Sequence, residues 1–338
     1  MSTPKIILGT MTFGLDTTNA ATSAVRIRGA ENVRPLLESF HSFGHVELDT
    51  ARIYCNGDTE IVLASLPTDH FAISTKVWPG GPGAHNAENL RKTFSESREA
   101  LQHKKVDIFY LHAPDYTTPF EETLKAINDL YREGLFKRFG LSNFASWQVM
   151  LIYQICKQNG YVLPTVYQGM YNAITRDVAK ELLPCLKSLN IAFYAYNPIA
   201  GGILAGKVNM NAPVAEGGRF DDKTPIGRMY RQRYWNKIYA DAISNLNDVA
   251  NANGLTLLES ALRWMRHHAG LGPNDGIIIG ASSLAQLEDN LKVLEGGPLP
   301  QAMLEAFDDA WESVKGSAAP YFKSEADTKA LATVLISK

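Results

Sequence analysis

Eight short apolar runs alternating with amphipathic helical patterns predict a (β/α)8 barrel of the TIM type, in a single domain spanning residues 1–338. Two further observations support this fold class. No composition break marks a linker, and polar residues close one run after another, on what would be the catalytic face of a barrel. A doubly wound open sheet is the competing α/β answer. The absence of GxGxxG after the first run weakens a dinucleotide-binding sheet of that kind.

The runs are 5–9 (KIILG), 45–49 (HVELD), 71–76 (FAISTK), 106–112 (VDIFYLH), 136–141 (FKRFGL), 163–168 (LPTVYQ), 191–196 (IAFYAY) and 276–280 (GIIIG). Their length and their β-branched or aromatic content suit buried parallel strands. Between them, 88–103 places Leu90, Phe94 and Leu101 near one helical face, and 119–133 does so with Phe120, Leu124, Ile127 and Tyr131. Helices are expected also over 147–158, 177–189 and 283–294. Three regions depart from the repeat. Residues 16–29 are polar and irregular, an insertion after the first strand. Residues 201–235 form a long stretch rich in Gly, Pro and charge, and loops of that length are uncommon unless they cover a site. They are expected to lie over a cofactor or substrate. Two helices, 236–253 and 256–268, then precede the last strand, and an extension over 300–338 holds one more helix and a polar end.

A formal net charge of -2 gives no footing for nucleic acid, which needs a basic stripe. Cys55, Cys156 and Cys185 are odd in number and widely spaced, which points away from a disulfide framework and toward a reducing, cytoplasmic compartment. The start, MSTPKIILGT, lacks the long apolar segment of a signal peptide. A long nonionic stretch, 190–206, is interrupted by Asn197, Pro198 and several glycines, so no membrane span is expected. No spacing suggests a metal site.

The strand ends carry the chemistry. Asp49 closes the second strand, Lys76 the third and His112 the fourth; Ser142 and Asn143 follow the fifth, Gln168 closes the sixth, and Tyr196 and Asn197 the seventh. Asp49, Tyr54, Lys76 and His112 together suit hydride transfer to a carbonyl, whose oxygen gains negative charge and needs a proton donor. Tyr54 can donate, but a phenol of pKa roughly 10 is a sluggish acid at neutral pH. An ammonium at Lys76 would lower that pKa, and Asp49 would hold the ammonium. His112 can orient the carbonyl oxygen and could share in proton delivery. Taken singly, each has a plainer reading: Asp49 a helix cap, Tyr54 an anchored surface aromatic, Lys76 a solvated charge, His112 a structural histidine. The pair His267–His268 reads as structural, and Cys55 as a packed thiol, with an oxidation-sensitive site as the alternative.

The segments ELDTARIY (47–54), STK (74–76), FYLHAPD (109–115) and GLSNF (140–144) resemble the signatures of the aldo-keto reductase superfamily. Within it, LPTVYQGMYNAITR (163–176), FYAYNPIAGGILAGK (193–207), RYW (233–235), ALRWMRHH (261–268) and GASSLAQLEDNL (280–291) are most like the aflatoxin-aldehyde and succinic-semialdehyde reductase group. The resemblance covers almost the whole chain. It implies that Tyr54 is the proton donor, tuned by Lys76 and Asp49, with His112 orienting the carbonyl. Ser142, Asn143 and Gln168 would hold the nicotinamide carboxamide, and Tyr196 would stack on the ring. Asn197, Pro198, Ile199 and the glycine pair Gly201–Gly202 would run along the pyrophosphate, where glycine lets the backbone approach closely.

The same resemblance implies NADPH (NADP+) as cofactor. The Lys-Ser pair and Arg that hold the 2′-phosphate in many members are replaced here by Gly280, Ala281 and Gln286, leaving Lys207 and Arg219 as candidate cations. Gly280, Ser282, Gln286 and Asn290 would form the adenosine pocket, with a helix N-terminus at Ser283 favouring negative charge. Arg233 would meet a substrate carboxylate, and Lys323 stands where the group has arginine, keeping the charge but losing the fork. Met11, Tyr230 and Trp235 could supply apolar pocket walls, with plain packing as the equal alternative. The implied activity is NADPH-dependent reduction of aldehydes, including dicarbonyls and carboxylate-bearing aldehydes such as succinic semialdehyde; the relatives are commonly homodimers. The alternative from another class is a nicotinamide-binding regulatory subunit resembling potassium-channel β-subunits.

Overall fold

The computed structural model describes residues 3–20, 23–206, 210, 214 and 218–328. β-branched and aromatic side chains, suited to pleated surfaces buried on both sides, build most of its strands. In chain order these are β1 (Lys5–Gly9), β2 (Phe13–Gly14), β3 (Ile27–Arg28), β4 (Glu47–Asp49), β5 (Ala72–Val77), β6 (Val106–Leu111), β7 (Phe136–Ser142), β8 (Pro164–Met170), β9 (Ala192–Tyr196) and β10 (Gly276–Ile279). Strands β2 and β3 pair as a small separate sheet. The rest close into a barrel in the order β1-β10-β9-β8-β7-β6-β5-β4, every neighbouring pair parallel. The fold is the expected (β/α)8 barrel.

The helices are α1 (Ala30–Ser42), α2 (Asp58–Ala64), α3 (Ala87–Ala100), α4 (Phe120–Arg132), α5 (Ser146–Asn159), α6 (Leu182–Ser188), α7 (Pro225–Tyr234), α8 (Lys237–Ala252), α9 (Leu257–His267), α10 (Leu284–Leu294) and α11 (Gln301–Val314). Several begin on a side-chain cap: Asn86, Thr224, Asn236, Thr256 and Ser283 each accept an otherwise unpaired backbone N–H of the first turn.

Three sequence expectations need correction. The helix expected over 177–189 is broken into a 3-10 turn, Asp177–Ala179, and α6, because Pro184 lacks an N–H and crowds the preceding turn. The stretch 201–235 is not all loop. It opens on a 3-10 turn, Ala200–Ala205, and closes on α7, which the Thr224–Pro225 pair announces by capping and by proline at the first helical position. The insertion 16–29 is more ordered than its polarity suggests. It contains β3, and the Arg28 guanidinium gathers the carbonyls of Leu15, Asp16 and Thr18 at 3.3, 3.0 and 2.5 Å.

Two cores result. One lies between strands and helices. A smaller one fills the barrel with Ile7, Ile108, Tyr110, Val166, Tyr194 and Ile278. At the N-terminal end of the strands, Tyr194 donates to Glu47 at 2.8 Å, Lys5 pairs with Glu47 at 3.0 Å, and Arg138 pairs with Asp107. Charges here are mutually satisfied, so this end is a plug. The inner core is also tight. A Cβ on Gly140 would come within 2.3 Å of the ring of Tyr110, which is fully buried and has nowhere to go. Gly140→Ala is expected to cost about 1–3 kcal/mol, read as a lower denaturation midpoint at unchanged m-value.

Candidate active site

The opposite end of the barrel gathers polar groups that are paired with one another across the lumen. Lys76, the penultimate residue of β5, is fully buried, so the plain reading of a solvated strand-end charge does not hold. Its ammonium donates to Asp49 Oδ2 at 2.7 Å, to the Thr50 carbonyl at 2.8 Å and to the Tyr54 hydroxyl at 3.3 Å. Asp49, also buried, takes a second hydrogen bond from Gln168 Nε2 at 2.8 Å, which bridges β4 to β8. A buried ion pair is tolerable only when its remaining valences are met, as they are here.

Tyr54 begins a 3-10 turn, Tyr54–Gly57, in which Cys55 and Asn56 take left-handed φ values of 48° and 60°. This kink turns the tyrosine back toward the lumen, where Lys76 Nζ lies 4.9 Å from its ring centroid. Burial, and then the Asp49 carboxylate, push the Tyr54 hydroxyl well above the usual phenol range. The expected lowering by Lys76 therefore does not describe the resting site. The phenol is held protonated, and the ammonium beside it is placed to stabilise phenolate only as the proton leaves.

His112 follows β6, with its ring 6.0 Å from that of Tyr54 and edge-on to it. Burial, then the Lys76 charge, then His85 hold its pKa well below the normal histidine range, so it is a neutral imidazole. Cys55 is buried and donates its thiol to the Met11 carbonyl at 3.3 Å, and burial pushes its pKa up. That is the packed thiol, since a reactive one needs thiolate character. His267 and His268 each bond backbone, through Gly296 and Leu299, as a structural pair would.

Around this centre lie the residues expected to hold a dinucleotide. Asn143, with φ 63°, donates from Nδ2 to the His112 carbonyl at 2.9 Å and to Ser142 Oγ at 3.0 Å, and its Oδ1 accepts from Tyr196 at 2.8 Å. Among the described residues, the Ser142 hydroxyl proton and Gln168 Oε1 are left uncommitted, one donor and one acceptor, as a carboxamide would require. Asn197, also left-handed, accepts from Gly201 N–H at 2.6 Å and donates to Tyr234 at 2.7 Å. Pro198 is buried and Ile199 half-buried beside it. The glycines differ in purpose. A Cβ on Gly201 would strike the Tyr230 ring at 2.4 Å, whereas Gly202, with φ 105°, faces open space. Only Gly202 gives a ligand close access to backbone.

At the next strand end, Gly280 also faces open space, and Asn290 donates to its carbonyl at 3.4 Å. Gln286 Oε1 accepts from the Ser282 backbone at 2.9 Å and from its hydroxyl at 2.7 Å, so these two are engaged with each other. Arg219 is half-buried, 5.2 Å from the Tyr230 centroid, with no carboxylate within ion-pair reach among the described residues. Lys207 lies outside the described residues.

Arg233 is not the surface ion pair that its residue type alone would suggest. It is 8% exposed, 5.5 Å from the Tyr230 centroid, and among the described residues has no carboxylate within ion-pair reach. The chain then returns: the Lys323 backbone N–H bonds the Asn143 carbonyl at 2.9 Å, and Tyr116 donates to the Lys323 carbonyl at 2.8 Å. This brings the Lys323 ammonium near Arg233. Burial, then Arg233, lower its pKa to about 8. Met11 is half-buried beneath Cys55. Trp78, His85, Tyr234 and Asp327 join the site without having been singled out from sequence. Only the aromatic crowding of RMYRQRYW hinted at Tyr234.

Among the described residues no cluster of His, Cys, Asp or Glu is arranged to hold a metal, and no helix is long and apolar enough to cross a membrane. A sequence model of the aldo/keto reductase family matches residues 5–312. The chain is 43% identical to an aldo-keto reductase of Pseudocercospora fijiensis (strain CIRAD86), over 85% of this chain and 100% of that protein. It is 42% identical to aflatoxin B1 aldehyde reductase member 2 of Mus musculus, over 95% of this chain and 88% of the relative. Identity to aldo-keto reductase family 7 member A3 of Homo sapiens is 41%, over 95% and 97% of the two chains. With the family's sequence running from β1 into α11 and relatives matched nearly end to end, this chain is an oxidoreductase belonging to the aldo/keto reductase family.

Proposed function

We propose that this protein reduces aldehydes to alcohols with NADPH, Tyr54 supplying the proton. The observation that carries the reading is the hydrogen-bonded chain from half-buried Tyr54 through buried Lys76, Asp49 and Gln168, linked at 3.3, 2.7 and 2.8 Å with neutral His112 beside it. The nicotinamide, when bound, supplies hydride to the carbonyl carbon. The protein's part is to receive the developing charge on oxygen. Tyr54, protonated at rest, gives its proton to that oxygen, and Lys76 stabilises the phenolate left behind. His112 stays neutral and donates a hydrogen bond that fixes where the oxygen sits. It is a poor proton source at neutral pH, so proton delivery is Tyr54's alone.

NADPH over NADH is supported by Arg219, a half-buried cation with no carboxylate within ion-pair reach among the described residues, which an added phosphate would pair. Aldehyde substrates are supported by the names of the mouse and human relatives. Three unpaired cysteines favour a reducing, cytoplasmic setting. A homodimer rests on the family resemblance and is checked by sedimentation. The test of activity is the fall of NADPH absorbance with 4-nitrobenzaldehyde and with succinic semialdehyde. Tight NADPH binding without turnover of any aldehyde would instead support a regulatory subunit.

Carboxylate-bearing aldehydes are favoured by buried Arg233 and half-buried Lys323, two cations with no ion-pair partner among the described residues and Asp327 as the nearby acid. Lys323 is charged below about pH 8 and loses its proton above it. The KM for succinic semialdehyde is therefore expected to rise between pH 7 and 9, while that for 4-nitrobenzaldehyde stays flat. A Lys323→Arg variant should abolish the rise. Arg233→Ala should raise the KM for the carboxylate substrate roughly 10- to 100-fold, the worth of a charge-assisted hydrogen bond. Equal effects on both aldehydes would count against a carboxylate site.

A further inference from the structure

Three ring nitrogens beside the candidate site are sealed from solvent and have no hydrogen-bond partner: Trp78 Nε1, His85 Nε2 and His112 Nδ1. Most polar atoms so buried are paired, and an exception calls for an explanation. These three are neighbours. Trp78 follows β5 directly, and its ring stands edge-on to that of His112 at 5.2 Å. His85 lies in the connection from β5 to α3, its backbone bonded to Asp115 three residues beyond His112, while the His112 backbone N–H bonds the carbonyl of Val77, next to Trp78, at 2.9 Å. It is 1% exposed, and burial lowers its pKa to about 4, so it is neutral at working pH.

His85 is also firmly placed. Its backbone N–H donates to Asp115 Oδ2 at 3.0 Å, and its carbonyl accepts from Thr123 at 3.0 Å. Asp115 is fixed in turn by the Thr117 and Thr118 hydroxyls at 2.6 and 2.7 Å. The segment FYLHAPD thus carries both His112 and the carboxylate that anchors His85, a use of Asp115 that the reaction itself does not require.

The donor and acceptor inventory narrows what can join the three nitrogens. Indole Nε1–H only donates, while a neutral imidazole has one N–H and one bare nitrogen. A direct bond from His112 Nδ1–H to His85 Nε2 would leave His112 Nε2 bare, unable to donate to a carbonyl, and no such bond is made. One water placed among them would meet every need: it would accept from Trp78 and donate one hydrogen to His112 Nδ1 and the other to His85 Nε2, and buried waters commonly make about three such bonds. His112 Nε2 is not among the sealed nitrogens, so it is the one left to the cleft.

We propose that Trp78 and His85 are positioning residues for His112: through one shared water they keep its proton on Nε2, so that the ring presents N–H to the carbonyl oxygen. This rests on the reductase reading of the site, but its test needs no turnover. In 15N-histidine-labelled protein, long-range 1H–15N spectra distinguish the tautomers directly, with His112 assigned by a His112→Gln variant. The wild type, with or without NADP+, should show His112 as neutral Nε2–H. Trp78→Phe, which keeps the bulk but removes the donor, should give a tautomer mixture. So should His85→Leu, which removes the acceptor. Both should lower kcat by about one order of magnitude, less than the loss of an oxyanion donor itself, at unchanged affinity for NADPH. His85→Gln, which returns an acceptor oxygen, should restore the single tautomer and much of the rate. Nδ1–H in the wild type overturns the proposal, and so does a fall in kcat with unaltered His112 signals. If His85→Leu fails to fold, the wild-type spectrum and Trp78→Phe still decide.

Discussion

Tyr54→Phe is expected to bind NADPH as the wild type does and to lose roughly three orders of magnitude in kcat, within the range for removing a positioned general acid. The hydroxyl is the one group at the site that is both protonated at rest and hydrogen-bonded to a cation able to stabilise its conjugate base. Neutral His112 cannot replace it, because the proton it carries belongs to an imidazole with little tendency to give it up. The ring itself remains, and with it the Lys76 contact at 4.9 Å. Lys76 keeps Asp49 and Thr50, so the fold should be undisturbed. Stopped-flow single turnover with quenching of protein fluorescence separates the two effects. An unchanged kcat would reassign the acid; a lost NADPH affinity would place Tyr54 in cofactor binding.

Much of this site was legible because a closed parallel barrel leaves few choices. Strand length and alternation show where each strand ends, and the ends of successive strands must meet on one face. Asp49, Lys76 and Gln168 could be placed together on that ground, although Lys76 is next to last in β5 and β8 runs two residues past Gln168. The direction of the Tyr54 pKa could not. It depends on whether burial and Asp49 outweigh one ammonium, a balance of opposed effects that no spacing records. The purpose of Gly201 was also hidden, because it is set by the Tyr230 ring, many residues away along the chain. Helix α1 shows a different gap. Val33, Leu36, Leu37 and Phe40 repeat at helical spacing, yet Pro35 and the polar start mask the pattern. Trp78 and His85 carry no motif at all. Their relation to His112 exists only once two loops are folded against each other.

The largest effect on stability is expected from Lys76→Met. Methionine fills much of the same volume, but it leaves the Asp49 carboxylate buried at 3% exposure with only the Gln168 amide as partner. Removing one member of a buried ion pair typically costs about 3–5 kcal/mol, because the remaining charge is uncompensated. The loss should be read as a lower denaturation midpoint, and turnover should fall at least as far as in Tyr54→Phe, since the phenolate loses its cation. Adding Asp49→Asn removes the stranded charge and should return most of the stability while leaving the enzyme inactive. Activity and stability would then part company in a single pair of variants, as they should if the ion pair serves the chemistry more than the fold. A double variant no more stable than Lys76→Met would show that the cost lies in packing around the lysine stem, and that the Asp49 charge is better solvated than its burial implies.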